Sequence, residues 1–457
     1  MGVSLARALR LEPYEQPGRP SRQDSTLAAG LTIAFSGAGG KTTAMFQLAR
    51  ELRGPVLVTT TTHIGAWQTS LADEHIVATR LGDVAGITWR GVALVTGAMA
   101  SDDRFGPVSD EVLLWLRDTA RQHSIPLLVE VDGSHQKPLK APAPHEPAIP
   151  DFAAIVVVVV GLSGLGKPLA EDVVQRPDRF AALSGLALGE PVTTGALVRV
   201  LAHPEGGLKN MPAGARKIVL LNQADSDELQ GQSRGMASQL LAAYDAVIVA
   251  SLRGGEVHAV HEPTAGIILA AGASTRLGRP KQLLDWHGQP FVRVVAGTAL
   301  AAGLDSVIVV TGSGAVDVQA TLDGMLINVV HNADWQSGQA SSIRAGLQAV
   351  PPSTGSAIFL LADQPQVSFD VIAALADTHA SGLFPIVAPL VMEERRANPV
   401  LFDRDSFAEL LSLRGDVGGR AVFSKYHVVY MPWHDDRLLL DVDTEADYRR
   451  LVEDDTL

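Results

Sequence analysis

Short apolar runs rich in valine and isoleucine alternate along this chain with longer amphipathic stretches, and glycine, proline or charge marks most of the changes. Runs of about four to eight β-branched residues predict buried strands, and apolar positions three and four apart predict helices with one covered face. In the first half, strands are expected at 31–35, 56–64, 127–131, 153–160 and 246–250, with a helix at 44–52. In the second half the two kinds alternate: 267–269, 292–302, 307–310, 315–322, 327–331, 341–349 and 358–361. Such alternation argues for an α/β fold of mostly parallel sheets wrapped by helices, with ligands at the carboxyl ends of strands.

The chain has 457 residues, against a prior of about 150 per domain, so two or three domains are expected. The pattern divides it into a lead-in at 1–28, a first domain at 29–251, a linker at 252–263 and a second domain at 264–457. The lead-in mixes Pro, Arg, Gln and Asp without a sustained period, which predicts a short helix followed by a loosely held segment.

The first strand runs into SGAGGKTT and then a helix, the order of a P-loop. The amides around Gly37, Gly39 and Gly40 would cradle phosphates, Lys41 would reach the β and γ oxygens, and Thr42, followed by Thr43, would hold Mg²⁺. Only Gly37-x-x-Gly40-Lys41-Thr42 fits, a shortened loop, and a plain strand-to-helix turn with a solvated lysine is the alternative. Glu130 or Asp132, ending a later strand, could hold that Mg²⁺ or cap a turn. Residues 132–150, rich in proline and charge, read as a surface loop over the site. Thr59 to Thr62 and His63 end another strand, where ordinary strand chemistry is the better reading for any one threonine. Asn222 and Asp225 look like a base-reading N-x-x-D element or, equally, a loop cap.

In the second half, LAAGASTRLGRPKQLL follows an apolar strand. Small residues and glycines that then deliver Arg276 and Lys281 can wrap backbone N–H groups and two cations around a phosphate chain. Asp363 sits past a strand end, where Pro365 stops the strand and leaves the carboxylate at the rim. Asp441 and Asp443 are expected past another strand end; Asp363 with either could hold Mg²⁺, and one of the pair could instead cap the helix beginning near Thr444. Asn332, Ser341 and Ser342 mark a helix start with free hydroxyls, suited to an anion, while Trp335 reads as packing.

The spacing A-A-G-x-S-x-R-x-G-x-x-K, followed in order by TG, N-x-x-W-x-x-G-x-x-S-S, LLADQP, NPVLF, GDVGGR and DVDT, resembles the MobA-like nucleotidyltransferases. Within them it looks most like molybdenum cofactor cytidylyltransferase. That resemblance implies a Rossmann-like domain, a nucleotide site at Leu269, Ala270, Ala271, Gly272, Ser274, Gly278, Thr311, Asn332, Ser341 and Ser342, catalysis by Arg276, Lys281 and Asp363, and metal on Asp363, Asp441 and Asp443. It also implies transfer of CMP from CTP to the molybdopterin cofactor with release of pyrophosphate. CTP is favoured because related guanylyltransferases generally carry Gly where Ala271 stands. The family usually has Gly where this chain has Ala397 before Asn398, and a positive φ there would strain alanine.

The first half resembles the YqeC-like accessory proteins through GAGGKTT, VTTTTH, VEVDGS, PLKAP-x-x-HEP-x-IP, VVGLSGLGKPL, HPEGGLKNMP and VLLNQAD. That likeness implies a molybdenum hydroxylase as the partner served, while the glycine loop predicts a P-loop NTPase-like domain with ATP as its nucleotide. A sugar-phosphate or polyol transferase, and a non-catalytic cofactor carrier, are the competing readings of the whole chain.

A net charge of -13 and a pI near 5.4 argue against general binding to nucleic acid or anionic membrane, so small anions must be held by local cations and amides. The absence of cysteine excludes disulfides, iron–sulfur clusters and Cys-ligated zinc. The longest apolar run is far short of the roughly 20 residues of a membrane helix, and no signal-peptide core is visible, so a cytoplasmic setting is expected.

Overall fold

The computed structural model describes residues 2–14, 28–101, 103–274, 277–392 and 395–454. The chain forms two compact units that divide between His261 and Glu262. In the first, β1 (Thr32–Gly37), β2 (Val56–Thr60), β3 (Glu74–Val77), β4 (Val92–Thr96), β5 (Leu127–Glu130), β6 (Ile155–Gly161), β7 (Arg216–Asn222), β8 (Ala246–Ser251) and β9 (Glu256–His261) pair in the order β9-β8-β7-β6-β1-β5-β2-β4-β3. Every pairing in it is parallel except β8 with β9.

Burial on both faces explains why the central strands are apolar throughout. All seven residues of β6, IVVVVVG, are buried, flanked by β1 and β7. Each fully buried valine or isoleucine contributes roughly 1.5–3 kcal/mol relative to exposure. The helix Asp110–His123, capped by the Ser109 hydroxyl, presents Val112, Leu116 and Ala120 to one face of the sheet. Thr194–Leu201 and Asp227–Leu240 cover the other through Leu197, Val200, Met236 and Leu240.

The short helix expected in the lead-in is present and docked: Leu5, Leu9 and Leu11 are buried, the helix Leu5–Ala8 is capped by Ser4, and Ala6 N–H donates to Glu51 at 2.7 Å. The loosely held segment expected after it falls on 15–27, outside the described residues. One segment departs from expectation. Residues 252–263 are not a linker, because a tight turn at Leu252 and Gly255 sends the chain back as β9, antiparallel on β8.

In the second unit, β10 (Thr264–Ala270), β11 (Ser306–Thr311), β12 (Asn328–His331), β13 (Ser356–Leu361), β14 (Ile386–Val391), β15 (Arg395–Arg396) and β16 (Val400–Asp403) order as β12-β11-β10-β13-β16-β14-β15. An eighth strand, β17 (Val428–Trp433), lies on β14, and β16 runs antiparallel to both its neighbours. Alternate residues of β10 serve opposite layers. Ala265 and Ile267 meet Ile343 and Leu347 of the helix Gln339–Gln348, whereas Ile268 and Ala270 meet Val292, Val295 and Ala299 of Phe291–Ala301.

In both units the strand that precedes a glycine loop lies between neighbours reached by connections in opposite directions. β1 lies between β5 and β6, and β10 between β11 and β13. Such a reversal opens a crevice at the carboxyl end of the strand. Among the described residues no helix is long and apolar enough to cross a membrane.

Helix Gln339–Gln348 approaches the sheet closely at Gly346, where an added Cβ would lie 2.4 Å from Ile267 Cγ2 and 3.2 Å from Val310 Cγ2. Branched strand side chains have little rotamer freedom to yield. Gly346→Ala is therefore expected to destabilise the C-terminal unit by about 1–3 kcal/mol. Urea unfolding of the full chain checks this; an unchanged midpoint would show that the helix moves freely.

Candidate functional sites

In the N-terminal unit the chain leaves β1 through Gly37, Gly39 and Gly40, at φ of 97°, 78° and 125°. A Cβ on Gly37 would lie 2.1 Å from Val159 O and one on Gly39 2.3 Å from Gly161 N, so the loop lies directly against β6. The helix Lys41–Glu51 follows with Gly40 at its N-cap and no side-chain cap. Its first residues, Lys41, Thr42 and Thr43, line a cleft of about 720 Å³ together with Glu130, His63, Arg104 and Arg253. Uncapped N–H groups and the positive end of the helix favour an anion there.

Lys41 is buried and donates to Gly37 O at 2.8 Å, with Asp132 at 3.3 Å and Glu130 at 3.7 Å. Asp132 is the hub of this arrangement, accepting from Ser36 Oγ and Gly37 N at 3.1 Å each and pairing with Lys140 at 2.8 Å. Lys140 continues to Glu146 at 2.9 Å, and Glu146 to Arg176 at 3.0 Å. Within 132–150, Gly133, Ser134, His135 and Gln136 line the cleft, as expected of a loop over the site, whereas Leu139, Ala141 and Ala143 are buried. These ion pairs neutralise Lys140 and Glu146, so proline and charge did not signal exposure in that part.

Glu130 keeps contact with the cleft and accepts from Thr42 Oγ1 at 3.3 Å, while Gln68 Nε2 donates to that hydroxyl at 2.8 Å. Burial raises the Glu130 pKa, opposed by Lys41 and reinforced by Asp132. The strand-end threonines are structural: Thr59 and Thr60 are fully buried and donate to Val95 O and Glu130 O, and Thr61 donates to Ala148 O. Asn222 is likewise committed, its amide donating to Gly39 O at 2.7 Å and its oxygen accepting from Leu252 N at 3.0 Å. It buttresses the loop, and both Asn222 and Asp225 line the cleft.

In the C-terminal unit, Leu269, Ala270, Ala271 and Gly272 line a cleft of about 520 Å³ with Lys281, Ser342 and Asp363. Lys281 Nζ contacts Asp363 and lies 3.0 Å from Asp443. Burial alone would lower the Lys281 pKa, but Asp363 and Asp443 outweigh it and hold it above the usual lysine value. Asp441 accepts from Gln364 Nε2 at 2.6 Å, and its pKa is raised by burial and by the neighbouring Asp363 and Asp443. Among the described residues no group of three or more His, Asp or Glu side chains forms a metal cage. Arg276 lies outside the described residues.

Several expected ligands are hydrogen-bonded within the scaffold. Ser274, at φ 52°, accepts from Lys281 N at 3.0 Å and donates to Gln282 Oε1 at 3.3 Å, and Gly278 N–H returns to Ser274 O, so both shape the loop. Thr311 is buried on Val330 O. Ser341 is not free: Asn332 Nδ2 donates to Ser341 Oγ at 2.8 Å and Ser342 Oγ at 3.0 Å, and Ser341 donates to Gly338 O. Of these only Ser342 reaches the cleft, alongside Trp335, which packs over Gly312.

The segment before Asp441 is the 3-10 turn Asp436–Leu439 and not a strand, and neither Asp441 nor Asp443 caps the next helix. Thr444 and Asp447 do so reciprocally, Asp447 N donating to Thr444 Oγ1 and Thr444 N to the Asp447 carboxylate. Ala397 is absent from the positive-φ positions, so it carries no backbone strain. Sequence reasoning missed Gln282, which is 2 % exposed and spans from Gly272 O to Ser313 O, and Gln68 beside Thr42. A glutamine gives no signal of its own, although its position one residue after Lys281 was available.

Comparison with known proteins gives a separate likeness for each unit. Residues 33–178 match the model of the YqeC protein family, and residues 266–429 that of the MobA-like NTP transferase domain. Uncharacterized protein YqeC of Escherichia coli (strain K12) is 30% identical over 203 residues, 42% of this chain and 75% of the relative. Nicotine blue oxidoreductase of Paenarthrobacter nicotinovorans is 33% identical over 197 residues, 41% of this chain and 95% of the relative. A crystal structure of Rv0371c from Mycobacterium tuberculosis H37Rv is 33% identical, covers 42% of this chain and 98% of that one, and has a TM-score of 0.38.

The buried network makes the N-terminal unit sensitive to acid. Burial would raise the Glu146 pKa, but Lys140 and Arg176 together hold it down at about 2, against an ordinary 4.5. A depressed folded pKa gives stability that is complete above the unfolded value and lost as pH falls toward the folded one. Stability is expected to fall by roughly 1–3 kcal/mol between those limits from this group. In Glu146→Gln that share of the acid loss disappears and the neutral-pH stability is lower; thermal unfolding from pH 7 downward, compared with the parent chain, measures both.

Proposed function

Since the chain belongs to the YqeC family through its N-terminal unit and to the MobA-like NTP transferases through its C-terminal unit, we propose that it is a molybdenum cofactor cytidylyltransferase joined to a nucleotide-binding accessory unit. The terminal phosphate of the molybdopterin cofactor attacks the α-phosphorus of CTP, the bond to the β-phosphate oxygen breaks, and pyrophosphate leaves. The observation that carries this reading is the Lys281 ammonium held by Asp363 and Asp443 at the cleft formed by the Leu269 to Gly272 loop.

This chemistry needs no protein nucleophile, only alignment and neutralisation of charge. The glycine loop wraps the phosphate chain, Gln282 holds the loop from behind, and Lys281 swings from its carboxylates onto the leaving pyrophosphate. Asp363 and Asp443 meet one ammonium, and with Asp441 close enough to feel both they would hold Mg²⁺, a cation that takes oxygen ligands. Bound there, Mg²⁺ would supply further neutralisation of the phosphates. Ala271, which lines the cleft, stands where related guanylyltransferases generally carry Gly, and the choice of CTP rests on that resemblance.

In the N-terminal unit, ATP would place its phosphates at the uncapped helix start, drawing Lys41 away from Gly37 O. Thr42 and Glu130, already in contact, fit a second Mg²⁺. A molybdenum hydroxylase is the partner that this unit would serve.

A second reading rests on the relative from Paenarthrobacter nicotinovorans, an oxidoreductase by name. The C-terminal cleft would then hold a redox nucleotide and release no pyrophosphate.

Purified chain with Mg²⁺ and molybdopterin cofactor is expected to release pyrophosphate faster with CTP than with GTP or ATP. Lys281→Ala and Asp363→Ala should each lower the rate by about 10²–10³-fold. Silence with all three nucleotides would sink the transferase and favour the redox or carrier reading. For the other unit, equilibrium binding of ATP should be lost in Lys41→Ala and retained in Lys281→Ala; equal binding in the two variants would refute the N-terminal site.

A further inference from the structure

The N-terminal cleft has a wall on each side of its glycine loop. The loop leaves β1, which in the sheet has β6, β7 and β8 on one side and β5 and β2 on the other. Asn222, Asp225 and Arg253 line the cleft from beyond the ends of β7 and β8, whereas His63, Trp67 and Gln68 line it from beyond the end of β2. At about 4.8 Å per strand, the ends of β7 and β2 stand on the order of 20 Å apart.

A nucleotide with its phosphates at the loop carries a single base, so it reaches one wall. The metal position decides which, because Mg²⁺ bridges the β and γ phosphates of a bound nucleotide. Thr42 and Glu130, the pair that fits that ion, lie on the β5 side of the loop. The terminal phosphate then faces β2, and the base lies towards β7 and β8. This leaves the β2 wall, beside the terminal phosphate, for something other than the nucleotide. Gln68 ties that wall to the metal position, since its Nε2 donates to Thr42 Oγ1 at 2.8 Å.

The chemistry of the β2 wall suits a flat ring. Trp67, in the turn Ala66–Leu71, is 62% exposed and lines the cleft. Its Nε1 comes so close to Gly65 that a Cβ there would lie 2.8 Å away, which sets the indole against the chain. An exposed indole held in this way is a stacking platform. His63 and Arg104 share the wall, and neither makes a hydrogen bond or ion pair among the described residues. Arg104 is held beside the turn because Arg104–Phe105 pairs antiparallel with Ile64–Gly65. The His135 pKa is lowered first by burial and then by Arg104, which places the guanidinium towards the cleft. His135 and Gln136, which line the same cleft, hold φ of 50° and 61°, a conformation that residues with side chains adopt at a cost and chiefly where ligands bind.

We propose that the N-terminal cleft binds a second ligand beside ATP, a planar heteroaromatic ring stacked on Trp67 with an oxygen substituent accepting from Arg104. The proposal rests on the reading of the glycine loop as an ATP site.

The test is equilibrium dialysis of the full chain with Mg²⁺ and a saturating non-hydrolysable ATP analogue. Pterin-6-carboxylate and xanthine are the ring probes, and cyclohexanecarboxylate is the control without a flat ring. Saturable binding of a ring probe is expected, weakened about tenfold or more in Trp67→Ala and in Arg104→Ala. Affinity for the ATP analogue, titrated separately, should stay unchanged in both variants. Absence of ring binding, equal binding of cyclohexanecarboxylate, or ring affinity unchanged in both variants overturns the proposal and leaves the ATP site standing. A tenfold loss of the ATP analogue in Trp67→Ala also overturns it, because the indole then carries the nucleotide's own base. Failure of the ATP analogue to bind the parent chain defeats the reading of the loop itself, and the second site with it. Trp67 is exposed, so a fold lost in Arg104→Ala leaves Trp67→Ala to decide.

Discussion

A lysine delivered by a glycine loop needs counter-charge once its ammonium leaves water, and each unit answers that need with carboxylates from a neighbouring strand end. In the N-terminal unit Lys41 meets Glu130 and Asp132, from the end of β5; in the C-terminal unit Lys281 meets Asp363, just past β13. Parallel register makes these meetings possible. Phe35 of β1 stands opposite Glu130 of β5, and Leu269 of β10 opposite Leu361 of β13, so loop and acid leave the sheet at the same level. Disturbing either register would strand a charge and open the loop together.

The two lysines differ in what surrounds them. The Lys41 side chain is 3% exposed and belongs to a closed chain of charges through Asp132, Lys140, Glu146 and Arg176. Lys281 is 23% exposed and Asp443 45%, so their pair stands at the rim of the cleft where an incoming phosphate can compete for the ammonium. Acid in one unit organises the loop; in the other it holds a cation within reach of the substrate space. Similar local motifs thus produce a more buried network in one place and a more exposed pair in the other, because only the first is braced by a segment that supplies Lys140 and Glu146.

Where sequence reading erred, the cause was generally that one residue type serves two purposes. Asn332, Ser341 and Thr311 are polar residues near a strand end, as ligands would be, yet each is spent on a neighbouring hydroxyl or carbonyl. Asn222 supports Gly39 from a distance of 183 positions along the chain, which no local window contains. At the last helix the local chemistry was sufficient but misassigned: Thr444 with Asp447 forms a reciprocal cap at the spacing such caps use, leaving Asp441 and Asp443 to face Gln364 and Lys281. Similarly, paired glycines before 256–261 mark a reversal that a linker reading passes over.

By itself the sequence determined the alternation of strands and helices, the mostly parallel sheets, the family of each half and the two glycine loops that open the clefts. These follow from periodicity and from short-range backbone rules, which act within a few residues. Tertiary structure alone decided which carboxylate meets which lysine and which hydroxyls remain for a ligand. Those outcomes depend on strand order and register, and both are set by how whole faces bury against one another, at distances along the chain that no local pattern records.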